Sequence, residues 1–334
     1  MITLCTLFDH NYIDKGLTMY NSLESLCCDF ELYVLAMSDK CYEILTDLDY
    51  AHLKPIRLSD FEDEELLKVK QYRKVGEYCW TCTPSLILYV INTYHPEYCT
   101  YIDADLFFYS DPKIIIDEMK EKKASVQVIG HRFNEKTAIE AENIVGKYCV
   151  EFNTFKNDTN GLELLDIWRN QCLEHCSIDG DGIYWGDQKY QDNWCTDYDY
   201  VIETDNIGAG IAPWNISQYK SRHGYRLYNK QYNKECDLLF YHFENIKYVN
   251  KNIININVPC IIHCDIPFVR SLYKEYLLKV DENKELLLSK YDLNTLITSH
   301  PGVDDSNNKK SLRSIMIDFV SYCFCRISLP NTKN

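Results

Sequence analysis

Long apolar runs are missing from this sequence of 334 residues. No stretch reaches the roughly 18 uninterrupted apolar residues that a membrane-spanning helix needs, so the sequence predicts no span. The residues after Met1 are typical of a strand, and they lack the apolar core of a secretory signal peptide. Internal repeats and low-complexity segments are also absent from the sequence. We therefore expect a globular chain of one large domain or two of ordinary size.

Basic residues are scarce, with 35 lysines and arginines against 50 aspartates and glutamates and a net charge of −15. A chain this acidic repels a phosphate backbone, which excludes general nucleic-acid binding. A phosphorylated small molecule would need a local cation or a metal ion. The tail from Lys309 to Asn334 is the exception, because its five basic residues and one acidic residue give it a net charge of +4.

Cysteine is plentiful at 16 residues, but the spacing of a disulfide framework or a zinc site is missing. The pair Cys79 and Cys82 has no second matching pair, and Cys172, His175 and Cys176 lie too close together on one helix to form a full zinc shell. Many of the other cysteines lie inside apolar runs. We therefore expect buried thiols in a reducing cytoplasm.

Strands and helices alternate in the first half of the chain. Apolar runs predict strands over 2–8, 30–36, 53–58, 99–102 and 125–129, with helices between them, one of which is expected to begin at Pro84. The second half is less regular, with a predicted helix over 159–176, strands near 200–202 and 238–243, and mostly helices from 268 onward. This order predicts an α/β fold with a mainly parallel sheet between helices. Ligands would bind at the carboxyl ends of the strands.

Two carboxylates, Asp103 and Asp105, directly follow an apolar strand and are flanked by apolar residues. Buried acids are costly unless paired, and no basic residue lies nearby in sequence, so a hard metal ion is the natural partner. In an extended strand the two side chains would share a face about 7 Å apart. One ion can bridge them only if the chain bends, so we predict that the strand ends at Asp103. The alternative is a surface turn in which Asp105 caps a helix.

Four segments resemble GT-A-type glycosyltransferases that use nucleotide sugars. The run from Tyr101 to Phe108 resembles their Asp-X-Asp motif, and Thr6 to Tyr12 resembles the first strand and nucleotide-binding turn of the family 8 branch. Leu239 to Phe243 resembles the late segment whose histidine completes the metal shell, and Gly186-Asp187-Gln188 resembles the Asp-Gln element of the sugar pocket. A set of bacterial glycosyltransferase-like proteins is the most similar, through Glu77 to Thr81, Gly130 to Phe133, Gly186 to Tyr190 and Gly208 to Asn215.

The resemblance implies a GT-A-type domain over 1–265 and a helical C-terminal extension over 266–334. It implies Mn²⁺ or Mg²⁺ on Asp103, Asp105 and His242, with Asp187 and Gln188 beside the reacting carbon. The donor-binding residues that it implies are Thr6, Phe8, Asp9, Asn11, Tyr12, Asp103, Ala104 and Lys247. The sugar or acceptor pocket would contain His131, Asn153, Gly208 and Trp214. Lys247 stands one position earlier than the lysine of the family pattern, after Glu244 and Asn245.

The implied function is metal-dependent transfer of a sugar from a nucleotide donor, with a UDP-sugar favoured, to a glycan or lipid-linked acceptor in surface polysaccharide synthesis. Resemblance to family 8 favours retention of the anomeric configuration, and inversion stays open. The tail over 309–334 carries apolar residues near its basic ones, which fits either an interfacial helix on the inner face of the membrane or a helix docked on the domain.

Three other functions fit parts of the pattern. A non-catalytic protein could keep the fold and bind the nucleotide sugar. A haloacid-dehalogenase-type phosphatase also places Asp-X-Asp after an apolar strand, but it requires Thr or Val where Leu106 stands. A nucleotidyltransferase requires a glycine-rich loop after the first strand, and the segment from Thr6 to Lys15 contains no glycine.

Overall fold

The computed structural model describes residues 1–26, 29–134, 138–178, 184–250, 253–256, 258–259, 261–293 and 326–328. The strands, in chain order, are β1 (Ile2–Phe8), β2 (Phe30–Ala36), β3 (Leu53–Arg57), β4 (Tyr98–Ile102), β5 (Leu106–Phe108), β6 (Val126–Gly130), β7 (Tyr148–Lys156), β8 (Val201–Glu203), β9 (Tyr219–His223), β10 (Arg226–Asn229), β11 (Lys234–Asp237), β12 (Phe240–His242), β13 (Lys247–Asn250), β14 (Ile253–Asn255) and β15 (Arg326–Ser328).

The helices are α1 (Ile13–Ser25), α2 (Asp39–Leu48), α3 (Leu58–Phe61), α4 (Glu64–Lys70), α5 (Val75–Tyr94), α6 (Lys113–Glu121), α7 (Ala138–Val145), α8 (Thr159–Glu174), α9 (Trp194–Asp197) and α10 (Ile266–Lys290). Short 3-10 helices cover Lys189–Gln191, Ile216–Gln218 and Ile261–His263. The predicted alternation of strands and helices in the first half is confirmed.

The central sheet has the strand order β3-β2-β1-β4-β7-β6-β8. Strand β7 runs antiparallel to both of its neighbours, and the other pairings in this sheet are parallel. Helices α1 and α2 cover one face and α5 and α8 cover the other, which explains why β1 is buried along its whole length. The predicted α/β fold with a mainly parallel sheet is confirmed.

The prediction that a helix begins at Pro84 is wrong, because α5 begins at Val75 and contains Pro84 in its interior. The start is fixed by the Glu77 carboxylate, which accepts the backbone N–H of Lys74 at 2.9 Å, the pattern of a capping box. Proline costs a helix one hydrogen bond. Here α5 is held by burial between the sheet and α8, and this tertiary packing outweighs the local preference.

Helix α10 packs on α1, which together with α2 covers one face of the central sheet. The Asn283 side chain donates to the Thr18 hydroxyl at 2.9 Å and accepts from the Asn21 amide at 3.0 Å. The Tyr276 ring stacks on Phe243 with centroids 3.9 Å apart. The helix predicted at the start of the C-terminal extension is therefore present and docked on the α/β domain.

The tail over 309–334 lies outside the described residues, except for Arg326–Ser328, which pairs with β14 as a strand. The two interpretations of this tail therefore stay predictions. In the part of the chain that the structure describes, no helix is both long and apolar enough to cross a membrane. The cysteines within that part are all free thiols.

Candidate metal centre and the cavity around it

The chain turns directly after β4, and this turn carries both aspartates of the Asp-X-Asp segment. Strand β4 ends at Ile102, and the amide of Leu106 donates to the Asp103 carbonyl at 3.3 Å. The Asp103 amide donates to the Glu151 carbonyl of β7 at 3.1 Å, and the Asp105 carbonyl accepts from Phe243 at 3.0 Å. The prediction that the strand ends at this point is confirmed.

Strand β12 brings His242 to the same turn, because β12 pairs antiparallel with β5 and places His242 opposite Leu106. The His242 Nε2 atom lies 3.1 Å from Asp105 Oδ1 and 3.7 Å from Asp103 Oδ2. One ligand atom from each of these three residues lies within 4.8 Å of the others. On its other side, His242 Nδ1 lies 2.6 Å from Glu151 Oε2.

Burial and mutual repulsion perturb the acids of this cluster. Burial raises the pKa of Asp103 to about 7, although the neighbouring His242 opposes the rise. Burial also acts against ionisation of Asp105, but His242 and the Tyr12 hydroxyl hold the pKa of that carboxyl well below its ordinary value. Burial disfavours the charged imidazole, yet the adjacent carboxylates raise the pKa of His242 well above its ordinary value.

The residues present fit a divalent cation. Three carboxylates surround one imidazole, so the cluster carries excess negative charge even when His242 is protonated. The side chains of Asp103 and Asp105 supply oxygen ligands and His242 Nε2 supplies a nitrogen, a set that suits Mn²⁺ or Mg²⁺. The other nitrogen of His242 contacts a carboxylate, as metal-bound histidines commonly do.

A cavity of about 920 Å³ opens at the carboxyl ends of β1, β2, β3 and β4, with the metal cluster on its wall. This volume lies within the range of pockets that enclose whole small-molecule ligands. Of the predicted residues, those that line the cavity are Phe8, Asp9, Tyr12, Asp103, Ala104, Asp105, His131, Asp187, Gln188, Trp214 and His242.

The turn after β1 builds one side of the cavity. Asp9 is fixed by Asn11, whose backbone and side-chain N–H groups donate to its two carboxylate oxygens at 2.9 and 2.8 Å. The Tyr12 hydroxyl donates to Asp105 Oδ2 at 2.6 Å, and the Lys15 ammonium lies 3.7 Å from the centre of the Tyr12 ring. The first strand is therefore coupled directly to the metal cluster.

Aromatic rings form the wall opposite the first strand. The Trp214 ring packs edge-on against His242 at 5.5 Å and against His131 at 5.3 Å. The Trp214 indole N–H donates to the His131 carbonyl at 2.9 Å, and the His131 ring stacks on Phe133. Burial lowers the pKa of His131 to about 3, so this imidazole is neutral at physiological pH.

Asp187 is a buried acid that faces the same cavity. Burial, followed by repulsion from Asp103, raises the pKa of Asp187 from 3.8 to about 8. Its Oδ2 atom has no hydrogen-bond partner among the described residues. The Asp187 carbonyl accepts the Trp168 indole N–H at 2.8 Å, and the Gln188 amide donates to the Val145 carbonyl at 2.7 Å, which fixes this segment in place.

The cavity lining does not include five of the predicted residues. Thr6 and Asn153 are fully buried, and Asn11 acts through Asp9. Lys247 is exposed on β13. At Gly208 the close approach is to protein backbone, because an added Cβ would lie 1.9 Å from the Asp237 carbonyl oxygen. Their assignment to donor or sugar binding stays a prediction.

Sequence reasoning did not assign a role to several residues that the structure places at the site. Glu151 contacts His242, and Cys149, Glu244, Lys70 and Arg73 line the cavity. A signal for Glu151 was available, since it is an acid between the apolar residues Val150 and Phe152 of a buried strand. The cost of burying an acid therefore points to Glu151 as it does to Asp103 and Asp105.

The fold and site define an α/β protein in which a group of residues that could hold a divalent cation lines the wall of a large cavity. No protein-family profile matches the chain. The chain belongs to the same family as two uncharacterized proteins of Bacillus subtilis strain 168. It is 32% identical to YfnD over 280 residues, 82% of this chain and 87% of YfnD. It is 30% identical to YfnF over 291 residues, 85% of this chain and 94% of YfnF.

Solved structures that resemble the chain include two glycosyltransferases. The galactosyltransferase LgtC has a TM-score of 0.48 at 12% identity, covering 73% of this chain and 87% of LgtC. Mouse xyloside xylosyltransferase 1 has a TM-score of 0.47 at 12% identity, covering 73% of this chain and 97% of that one. Likenesses at this level define no reaction, so the function is inferred from the residues of the site.

Proposed function

We propose that this protein is a GT-A-type glycosyltransferase that uses a divalent cation to move a sugar from a nucleoside-diphosphate donor to an acceptor. The observation that carries the proposal is the convergence of Asp103, Asp105 and His242 on one wall of a nucleotide-sized cavity. These residues would hold Mn²⁺ or Mg²⁺, which when bound would neutralise the charge that develops on a diphosphate leaving group.

The protein's own residues have separate roles in this proposal. Phe8, Asp9 and Tyr12 would bind the base and ribose, with a UDP-sugar as the favoured donor. Asp187 would stand beside the anomeric carbon. With a cation on Asp103 to offset the repulsion that helps to keep Asp187 protonated, its carboxylate would stabilise the positive charge that develops on the sugar. Gln188 would position the same ring, and the wall of His131 and Trp214 would exclude water and contact the sugar or the acceptor. Retention of the anomeric configuration is the favoured outcome.

The proposed acceptor is a glycan or a lipid-linked sugar, and the proposed location is the cytoplasm or the inner face of the membrane. The free thiols of the described cysteines support a reducing compartment. A role in surface polysaccharide synthesis would follow from such an acceptor.

The test is to incubate the protein with a panel of nucleotide sugars and Mn²⁺ and to measure release of nucleoside diphosphate. We expect release that disappears with a chelator and in Asp103→Ala, and that persists in Glu43→Gln, which changes an exposed acid on α2. Release of inorganic phosphate from phosphomonoesters would instead favour a phosphatase. Calorimetric binding of a nucleotide sugar without turnover would favour a non-catalytic binding protein.

A further inference from the structure

Glu151 contacts two residues of the candidate metal centre, Asp103 and His242. Its backbone carbonyl accepts the Asp103 amide at 3.1 Å, and its side-chain Oε2 lies 2.6 Å from His242 Nδ1. It lies on β7, in the interior of the central sheet between β4 and β6, and it is fully buried. One residue on a rigid strand therefore touches a ligand from the turn after β4 and the ligand from β12.

We propose that Glu151 is a positioning residue that holds His242 through Nδ1 and thereby presents Nε2 to the cation shared with Asp103 and Asp105. This inference rests on the cation site of the proposed function. An imidazole whose one nitrogen donates to a carboxylate keeps the lone pair of its other nitrogen free for a metal ion. Here the other nitrogen, Nε2, faces Asp105 and Asp103, at 3.1 and 3.7 Å.

The contact with His242 is the hydrogen bond that the Glu151 carboxylate makes among the described residues. Its Oε1 atom is buried and has no hydrogen-bond partner within the described ranges, so His242 is the contact that offsets the cost of burying this acid. Gly210 lies beside this carboxylate with φ +67°, and a Cβ added at this glycine would lie 2.8 Å from Glu151 Oε1. The contact with His242 is therefore the observation on which the proposed role of Glu151 rests.

The alternative role for Glu151 is that of a metal ligand. Cys149, Glu151 and His242 each place one ligand atom within 4.8 Å of the others, so this set could itself hold an ion. Such an ion would bind His242 through Nδ1, and it would be a metal ion that prefers a thiolate ligand. In the first role Nδ1 of His242 carries the proton and Nε2 binds the cation, whereas in the second role Nδ1 binds the ion. The position of the proton on the ring therefore distinguishes the two roles.

The experiment compares the full chain with Glu151→Gln, which keeps the shape and removes the charge, and with Glu151→Ala. Asp103→Ala serves as the reference for loss of a ligand, and Glu43→Gln as the control for loss of an exposed charge. Mn²⁺ affinity is measured without nucleotide, from the electron paramagnetic resonance signal of free Mn²⁺. We expect both Glu151 variants to bind Mn²⁺ about 10- to 100-fold more weakly. Circular dichroism checks folding, and if the alanine variant does not fold, the isosteric glutamine variant decides.

Ring-nitrogen NMR of His242 in the Mg²⁺-loaded protein supplies a readout that a merely structural role would not move. We expect a protonated Nδ1 and a cation-bound Nε2 in the wild type, and loss of this single state in the variants. Mn²⁺ affinities within twofold of wild type in both variants, or a cation on Nδ1, would overturn the proposal. Mn²⁺ binding that depends on Glu151 in a protein that releases no nucleoside diphosphate would contradict the transferase alone.

Discussion

Replacing Asp187 by Asn is expected to stabilise the folded protein while it abolishes transfer. The Asp187 side chain is only 4% exposed, and its pKa rises from 3.8 to about 8 on folding, because burial and then Asp103 disfavour its charge. At neutral pH the unfolded chain has therefore lost a proton that the folded chain retains. Asn cannot ionise, so the variant removes this penalty.

The sign and size follow from proton linkage. At pH values well below 3.8, Asp187 is protonated in both the folded and the unfolded chain and contributes no pH-dependent term. As the pH rises the unfolded state binds fewer protons than the folded state, so stability falls until the folded pKa is passed. At about 1.4 kcal/mol per unit, the penalty is about 2 kcal/mol at pH 5.5 and about 4 kcal/mol at pH 7.

The assay is urea denaturation of wild type and Asp187→Asn at these two pH values, with a chelator present so that no bound cation changes the pKa of Asp187. We expect the variant to be more stable, with the difference growing by about 2 kcal/mol from pH 5.5 to pH 7. Glu43→Gln should show no such growth, because Glu43 is exposed. An Asp187→Asn variant that unfolds at the wild-type urea concentration at pH 7 would refute the reasoning.

Three further predictions test the centre. Mn²⁺ at about 100 times its dissociation constant should stabilise the wild type by about 2.7 kcal/mol in a thermal melt, and Asp103→Ala should abolish the shift. Tyr12→Phe removes the hydrogen bond to Asp105 and should cost the metal-free protein about 1.5–3 kcal/mol in urea, and a loss below about 0.5 kcal/mol would contradict it. Gly210→Ala should be less stable than Gly224→Ala by about 1–3 kcal/mol, because both glycines have positive φ but only Gly210 has close neighbours. Equal losses would show that the three close neighbours, Ile129, Glu151 and Arg132, can all move aside.

The sequence predicted the part of the site whose chemistry is local. Two acids at the end of an apolar strand are costly to bury, and this cost alone predicted that the chain bends at Asp103 and that a cation is needed. The alternation of strands and helices likewise depends on short-range periodicity. Both features are decided within about ten residues of chain, where sequence patterns carry information.

The rest depends on contacts between distant residues. The preference of proline for the first turn predicts a helix start at Pro84, whereas burial between the sheet and α8 lets α5 continue through this residue. Glu151 is separated from His242 by 91 residues, and their contact exists only because β7 enters the sheet antiparallel beside β4. A sequence pattern alone does not indicate that strand order. The acid between Val150 and Phe152 could be recognised as costly, but its partner could not be named.

The charge on the cavity connects the composition of the chain to its proposed chemistry. The acidic residues that line the cavity are Asp9, Asp103, Asp105, Asp187 and Glu244, and of these Asp187 keeps its proton at neutral pH. Among the described lining residues, the lysines and arginines are Lys70 and Arg73, and both are engaged. Lys70 lies 2.6 Å from a Glu62 carboxylate oxygen, and Arg73 donates to carbonyl oxygens at the end of α8. A cavity with this balance repels a diphosphate unless a cation enters with it. For the proposed transferase, we therefore expect a chelator to abolish calorimetric binding of the nucleotide as well as turnover.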